Sequence, residues 1–355
     1  MSNTATVLAF DFGASSGRAI RAVYDGQNLT YEEIHRFENV PIEKDGHLCW
    51  DVETLLKEIH TAIQKAGTFD SLGFDTWGVD FGLLDTDGHL LANPVHYRDV
   101  RTNGKLEQAA ARMPAEELYA HTGNQIMAIN TLFQLLALRE QDPELLQKAE
   151  QILFMPDLFA ALLGAEPVCE RSIASTSQML DPRTGQWSRE VLAAYGLNAN
   201  RFAPLVASGT VTGTLANGAK IIAVAGHDTQ CASAAMPCAE EDAEHTAFLS
   251  CGTWSLLGTE LDAPILTADS CQSGLSNELG ANGKINYLKN IIGLWLIQES
   301  RREYKRRGQA YSFAELEQQA LAAEPLRSFI DPDAPEFVAP GDLPSRIQEL
   351  SLIHI

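Results

Sequence analysis

The segment Thr6-Val-Leu-Ala-Phe-Asp-Phe-Gly-Ala-Ser-Ser-Gly-Arg-Ala-Ile-Arg-Ala-Val23 constrains the fold more than any other part of the chain. Val7 to Phe10 is an apolar run that reads as a buried strand. Asp11 stands at its end, and small residues fill Gly13 to Gly17 before a second apolar run, Ala19 to Val23. Two apolar runs around a tight turn predict a hairpin. Small residues let a phosphate approach the turn, whose backbone N–H groups form a concave anion site. Asp11 lies where a carboxylate holds a metal ion, directly or through water, beside such phosphates. The segment matches neither G-x-x-x-x-G-K-[ST] nor a helix-opening G-x-G-x-x-G. An ordinary Gly/Ser turn is the alternative reading.

Three further stretches carry chemistry. In Ser71-Leu-Gly-Phe-Asp-Thr-Trp-Gly-Val-Asp-Phe-Gly-Leu-Leu84 a strand reaches Asp75, breaks, and resumes. Asp75, Trp77, Gly78 and Asp80 then sit at a strand end, where ligands of open α/β sheets lie. Lys220 to Gly226 reads as a buried strand followed by a helix, Cys231 to Met236, with Asp228 at the corner. Asp228 is either a carboxylate presented to a cleft or a helix N-cap. Thr246 to Gly258 repeats the opening grammar, with a turn over Ser250 to Ser255. The two turns read either as a duplicated fold holding a ligand between its halves or as unrelated hairpins. The polar stretch Pro237 to His245 is the expected boundary, giving domains 1–240 and 241–355.

Elsewhere the pattern predicts a helix over Val52 to Ala66 closed by Gly67, and helices over Gly104 to Glu150, one starting at Pro114 and ended by Gly123 and the next capped by Asn130. Leu288 to Arg307 reads as one helix, with Asn290 and Gln298 two turns apart and able to reach one cleft. Ser312 and Glu315 form a capping box. A length of 355 residues fits two domains or one large one. The net charge of −21 argues against a nucleic-acid or anionic-membrane partner. No apolar run reaches the ~18 residues of a membrane span, and no secretory leader is seen. The six cysteines include no C-x-x-C, which suggests a reducing cytoplasm.

Taken together, Asp11-Phe-Gly-Ala-Ser-Ser-Gly-Arg18, Gly226-His-Asp228 and Ser250-Cys-Gly-Thr-Trp254 resemble the sugar kinases of the FGGY family. These belong to the actin, hexokinase and heat-shock ATPase superfamily. Phe74-Asp-Thr-Trp-Gly-Val-Asp-Phe81, Tyr97-Arg-Asp-Val-Arg-Thr102 and Leu288-Lys-Asn-Ile-Ile-Gly-Leu-Trp295 look like the members of that family that act on L-rhamnulose. The resemblance implies an α/β fold of two ribonuclease-H-like (actin-like ATPase) domains with an interdomain cleft. It also implies ATP- and Mg²⁺-dependent phosphorylation of the 1-hydroxyl of L-rhamnulose, a small-molecule ketose. By that match Asp228 is the proton acceptor. Ala14, Ser15, Ser16, Gly17, Arg18, Thr253 and Gln298 contact ATP, and Gly78, His227, Asp228, Thr229 and Asn290 contact the sugar. Trp77 is a candidate stacking surface for the sugar, and Asp80 a candidate partner for its hydroxyls.

Members of the family continue past the equivalent of Leu350 with a Gly-Gly-Gly segment that holds adenosine, and this sequence has no such segment. The expectation is a C-terminally truncated kinase, its second domain incomplete and its last residues not native to the gene. Another ketose such as fuculose or xylulose, a non-catalytic sugar-binding fragment and an actin-like filament protein are the other readings. The expected assembly is a monomer or a small homo-oligomer.

Overall fold

The computed structural model describes residues 4–239, 242 and 245–354. Packing divides the chain into two units. One runs up to Ala247 and includes Gly258–Leu288; the other joins Phe248–Leu257 to the chain from Lys289 onward. Part of the polar stretch expected as the boundary, residues 240, 241, 243 and 244, lies outside the described residues.

In the first unit, in chain order, are β1 (Ala5–Phe12), β2 (Ser16–Tyr24), β3 (Leu29–Glu38), α1 (Val52–Ala66), β4 (Ser71–Thr76), β5 (Phe81–Leu84), α2 (Thr131–Gln141), α3 (Met155–Leu162), α4 (Arg171–Ala174), β6 (Thr210–Thr214), β7 (Lys220–Ala223) and α5 (Asp228–Ala234). Six of these strands form one sheet in the order β6-β7-β4-β1-β2-β3. β1 is antiparallel to β2 and parallel to β4, and β7 is parallel to β4. This is the ribonuclease-H-like arrangement.

Side chains alternate across a strand, so Leu8, Phe10 and Phe12 share the fully buried face of β1. Phe10 stacks on Phe74 of β4 and Phe12 on Phe159 of α3, each with ring centroids 4.8 Å apart. α1 buries Val52, Leu55, Ile59 and Ala62, one stripe of an amphipathic helix. Asp51 caps it by accepting from the Thr54 N–H at 3.2 Å, and Gly67 ends it at φ 66°. α2 buries every residue from Thr131 to Leu138, as expected of a helix enclosed by its neighbours. Asn130 stands at its N-cap without capping; its side-chain amide donates instead to Gln125 O (2.9 Å) and Gln178 Oε1 (2.7 Å).

Further along lie β8 (Phe248–Cys251), β9 (Trp254–Leu261), β10 (Ser276–Leu279), β11 (Ile285–Ile292), α6 (Trp295–Arg306), α7 (Phe313–Ala322) and α8 (Leu343–His354). The single helix expected over Leu288 to Arg307 is corrected here. β11 runs through Ile292, Gly293 and Leu294 break the chain, and α6 starts at Trp295. The β-branched pair Ile291-Ile292 favours a strand. Gly293 presses against the β8–β9 turn, where a Cβ would lie 2.4 Å from Ser255 Oγ and 3.0 Å from Gly252 O. Its N–H and that of Trp295 both donate to Thr253 O rather than into a helix. Asn290 and Gln298 therefore do not share a helix face.

In the second unit Ile292, Trp295, Phe337 and Leu343 form a small core. The capping box is present at α7. The basic run of α6 is absorbed by acids: Arg302 and Arg306 meet the buried Glu299 at 3.0 and 2.8 Å, and Arg307 meets Glu303 at 2.8 Å. No helix among the described residues is long and apolar enough to cross a membrane.

The aromatic stack under β1 yields a stability prediction. Phe12→Ala empties a site with no solvent contact, at a cost of about 3–5 kcal/mol. The expected result is a lower urea midpoint with an unchanged slope; a loss under ~1 kcal/mol would contradict this packing.

Candidate active site at the end of the first sheet

Parallel pairing sets the site. Asp11 lies opposite Asp75 in the β1–β4 register. Beyond β7 the chain stays beside β4: Thr76 bridges His227 and donates its N–H to Gly226 O at 2.9 Å. Asp11, Asp75 and Asp228 thus leave neighbouring parallel segments at the same end. Burial pushes the Asp75 carboxyl well above the usual range, and the charges of Asp11 and Asp228 push it further. Burial also raises Asp228, against the pull of His227. The Asp228 side chain is still 41% exposed, so solvent limits that rise. Arg18, across the hairpin from Asp11, meets Asp11 Oδ2 through Nε at 2.8 Å and Nη2 at 2.5 Å.

The oxygens of these three acids do not come within 4.8 Å of one another as a set; among the described residues, Asp85, Asp87 and His89 on an exposed turn do. Asp11, a partly exposed carboxylate beside the small-residue turn, is the acid that fits a hydrated divalent ion held directly or through water.

Asn39 braces the opening turn by donating Nδ2–H to Gly13 O (2.9 Å) and its N–H to Ser15 O (3.1 Å). Gly13 N donates to Ser16 O at 2.8 Å. The N–H groups of Ala14 and Ser15 have no acceptor among the described residues, which fits an anion there. Gly17 is small for another reason: a Cβ there would stand 2.2 Å from the Phe37 ring. In the second unit, the β8–β9 turn is closed by Gly252 N donating to Trp254 O at 2.8 Å. Thr253 Oγ1 donates to Gln298 Oε1 at 3.2 Å, while Asn290 lies on β11.

The Gly226-His227-Asp228 corner is braced from below. Glu170 caps α4 by accepting from Ser172 N (2.9 Å) and Ile173 N (3.2 Å), and its Oε2 also takes the Gly226 N–H at 3.0 Å. A Cβ on Gly226 would meet Pro156 Cγ at 2.9 Å and Ile173 Cβ at 3.1 Å. His227 occupies the N-cap position of α5 and Asp228 is its first residue, so the N-cap reading of Asp228 is set aside. Asp228 Oδ1 accepts from Thr229 N (2.5 Å) and Thr229 Oγ1 (3.1 Å), and Oδ2 takes no donor among the described residues. His227 Nε2 is 3.5 Å from Asp228 Oδ1, and Nδ1 is 2.9 Å from Glu278 Oε2. That second approach is a charge contact off the hydrogen-bond line. Burial is the largest single influence and disfavours the protonated ring, but the charge and contact of Glu278 together with the charges of Asp228 and Asp75 outweigh it and push the His227 pKa up to about 9.

Asp80 is placed differently from expectation. It is 1% exposed, and its carboxylate accepts from Trp50 Nε1 (2.6 Å), Trp77 Nε1 (3.0 Å), Tyr97 N (3.2 Å) and Gln134 Nε2 (2.9 Å). Burial raises its pKa to about 6 against those bonds. With four donors seated, it holds two indoles in place. Trp77 itself is mostly buried, its ring 4.0 Å from that of Trp50. Gly78 packs against Thr176, which a Cβ would approach to 3.2 Å. Val79 has φ +67°, a strained value for a β-branched residue. Its N–H donates to Thr176 Oγ1 at 3.1 Å, and its carbonyl accepts from Thr131 Oγ1 at 2.6 Å. Sequence reasoning misses Glu170, Thr176 and Glu278. The one signal for Glu278 is an acid inside Ser276–Leu279, a strand buried at every position.

Two predictions come from this geometry. Gly226→Ala forces the corner off its brace, and overpacking of this kind costs about 1–3 kcal/mol; an unchanged melting midpoint would contradict the close approach. His227 binds its proton more tightly folded than unfolded, so its contribution is full below about pH 6.5 and is lost as pH climbs through about 9. The loss is on the order of 3 kcal/mol, seen as a falling urea midpoint over that window and a flatter profile in His227→Gln.

The chain matches the N-terminal domain of the FGGY family of carbohydrate kinases over residues 6–234 and the C-terminal domain over residues 247–352. A curated relative from Bacteroides thetaiotaomicron named rhamnulokinase is 40% identical over 96% of this chain and 72% of its own length. One of the same name from Halalkalibacterium halodurans is 38% identical over 96% and 74%. Among solved structures, a ligand-bound xylulose kinase from Lactobacillus acidophilus superposes with a TM-score of 0.69 at 16% identity, covering 90% of this chain and 66% of the other. A gluconate kinase from the same organism gives 0.71 at 17%, covering 90% and 65%. These two likenesses show the shared fold. The chain belongs to the FGGY family of carbohydrate kinases.

Proposed function

We propose that the chain phosphorylates the 1-hydroxyl of L-rhamnulose at the expense of ATP, with Asp228 as the proton acceptor. The relatives named rhamnulokinase support the choice of sugar. The observation that carries the chemistry is Asp228 itself: a carboxylate at a strand-to-helix corner, fixed at Oδ1 by Thr229, with Oδ2 open and 41% of the side chain exposed.

Phosphoryl transfer asks a protein for positioning and charge stabilisation more than for covalent chemistry. Bound Mg²⁺ neutralises charge on phosphate oxygens, and Asp11 is the residue proposed to hold it, directly or through water. The turn from Ala14 through Ser15, Ser16 and Gly17 to Arg18 cradles the phosphates with its N–H groups. Thr253 and Gln298, joined by a hydrogen bond, are proposed nucleotide contacts of the second unit. Trp77, Gly78, His227, Thr229 and Asn290 are the proposed sugar contacts, and Asp80 steadies Trp77. As the new P–O bond forms, the hydroxyl proton passes to Asp228 Oδ2 and ADP departs with the electrons of the broken P–O bond. In this reading residues 1–240 carry the base and the first phosphate turn, and 241–355 the second turn.

Two measurements test it. Asp228→Asn is expected to cut ketose-dependent ADP formation by about 10²–10⁴-fold while calorimetry still registers sugar binding; turnover near the parent rate removes Asp228 as base. A panel of L-rhamnulose, L-fuculose and D-xylulose is expected to give the highest kcat/KM with L-rhamnulose. A preference for xylulose would replace the sugar assignment, and binding without turnover of any ketose would make the chain a sugar-binding fragment.

A further inference from the structure

Behind Asp228 lies a closed polar group that the reaction above does not use. Glu278 is 3% exposed on β10, Gln230 is fully buried in α5, and Asn286, paired with Glu278 across the β10–β11 ladder, is 1% exposed. Gln230 Nε2 donates to Glu278 Oε2 at 2.9 Å. Asn286 Nδ2 donates to Gln230 Oε1 and, at 2.9 Å, to Ser233 Oγ. The same Glu278 oxygen faces His227 Nδ1 at 2.9 Å, and the far edge of that ring faces Asp228 Oδ1 at 3.5 Å. The order is buried carboxylate, imidazole, half-exposed carboxylate.

A buried carboxylate needs a partner charge or several donors. Glu278 has one amide donor and the imidazole, so the imidazole is the group that balances it. A protonated ring then presents its second N–H edge to Asp228. Other charges around the ring and its partner are Asp75 on β4, Asp11 on β1 and, against Asp75, Arg18 on β2; the Cys231 thiol stands one turn along α5. Apart from Arg18, which is tied to Asp11, each of these is an acid or a thiol, so His227 is the cation nearest Asp228.

We propose that Glu278 is a positioning residue for phosphoryl transfer: through His227 it keeps a positive charge against the inner edge of Asp228, which holds that carboxylate ionised and turned toward the acceptor hydroxyl. This rests on Asp228 being the base. Glu278 never touches substrate, and its reach is one ring long.

The test is Glu278→Gln in the full chain, with Glu278→Asp as the charge-retaining control. Histidine ring NMR, with the His227 signal assigned by its loss in His227→Gln, is expected to show the ring protonated up to pH 8 in the parent and in Glu278→Asp. In Glu278→Gln it is expected to titrate below about pH 7, toward the ordinary histidine value. From about pH 7 upward, where the ring loses its proton in Glu278→Gln, kcat/KM for the ketose is expected to fall relative to the parent, while Glu278→Asp follows the parent. His227→Gln, which carries no ring charge at any pH, is expected to move the acidic limb of the profile up. An unaltered His227 titration in Glu278→Gln overturns the hold of Glu278 on the ring. An unshifted acidic limb in His227→Gln overturns its transmission to Asp228, as does a Glu278→Gln loss equal at every pH. If Asp228→Asn keeps its turnover, the base assignment fails, while the NMR result still decides whether Glu278 governs the charge of His227.

Discussion

Like charges gathered at one end of the parallel strands within a mixed sheet are the constraint on which this site depends. The β1–β4 register sets Asp11 beside Asp75, and the bridge from Thr76 to His227 brings Asp228 alongside. Three carboxylates in one recess repel one another, and burial makes that repulsion costlier. Arg18 answers from the neighbouring hairpin strand and His227 from the same corner. The rest is scaffolding for that balance. Stacked phenylalanines fix the strands beneath it, and Glu170 ties the Gly226 amide to the start of α4. A cluster so charged favours a cation, whose charge offsets what Arg18 and His227 leave uncompensated.

The parts of this arrangement that were legible in the sequence are the local ones. The small-residue turn after Asp11, the strand to Asp75 and the corner at Asp228 each follow from apolar runs ended by glycine and polar residues. The matching of three such stretches to one family then joined them, which no single stretch could do. What stayed hidden depends on partners distant in sequence. The bonds that Trp50 and Gln134, 30 and 54 residues away, make to Asp80 have no local signal. Glu278 looks like a surface acid until β10 is found buried along its whole length. The helix expected across Leu288 failed for a related reason. Apolar residues at helical spacing also suit a short strand, and the approach of Gly293 to the β8–β9 turn decides between the two.

The fold and the chemistry are separable here. Kinases of different sugars share the backbone at 16–17% identity, so the sheet order alone says little about which hydroxyl is phosphorylated. In the proposed reading, choice of substrate falls to the proposed sugar contacts, Trp77 among them. The Asp80 carboxylate fixes the Trp77 indole by accepting from its Nε1–H.

Val79 has a consequence of its own. Its left-handed backbone is locked by two threonine hydroxyls, Thr131 at its carbonyl and Thr176 at its amide, drawn from helical segments 45 residues apart. Were either latch released, residue 79 could swing into an extended form and carry the Trp77-Gly78 peptide with it. Two inconspicuous side chains, neither facing solvent, therefore set the backbone that carries Trp77 and Gly78, the proposed sugar contacts.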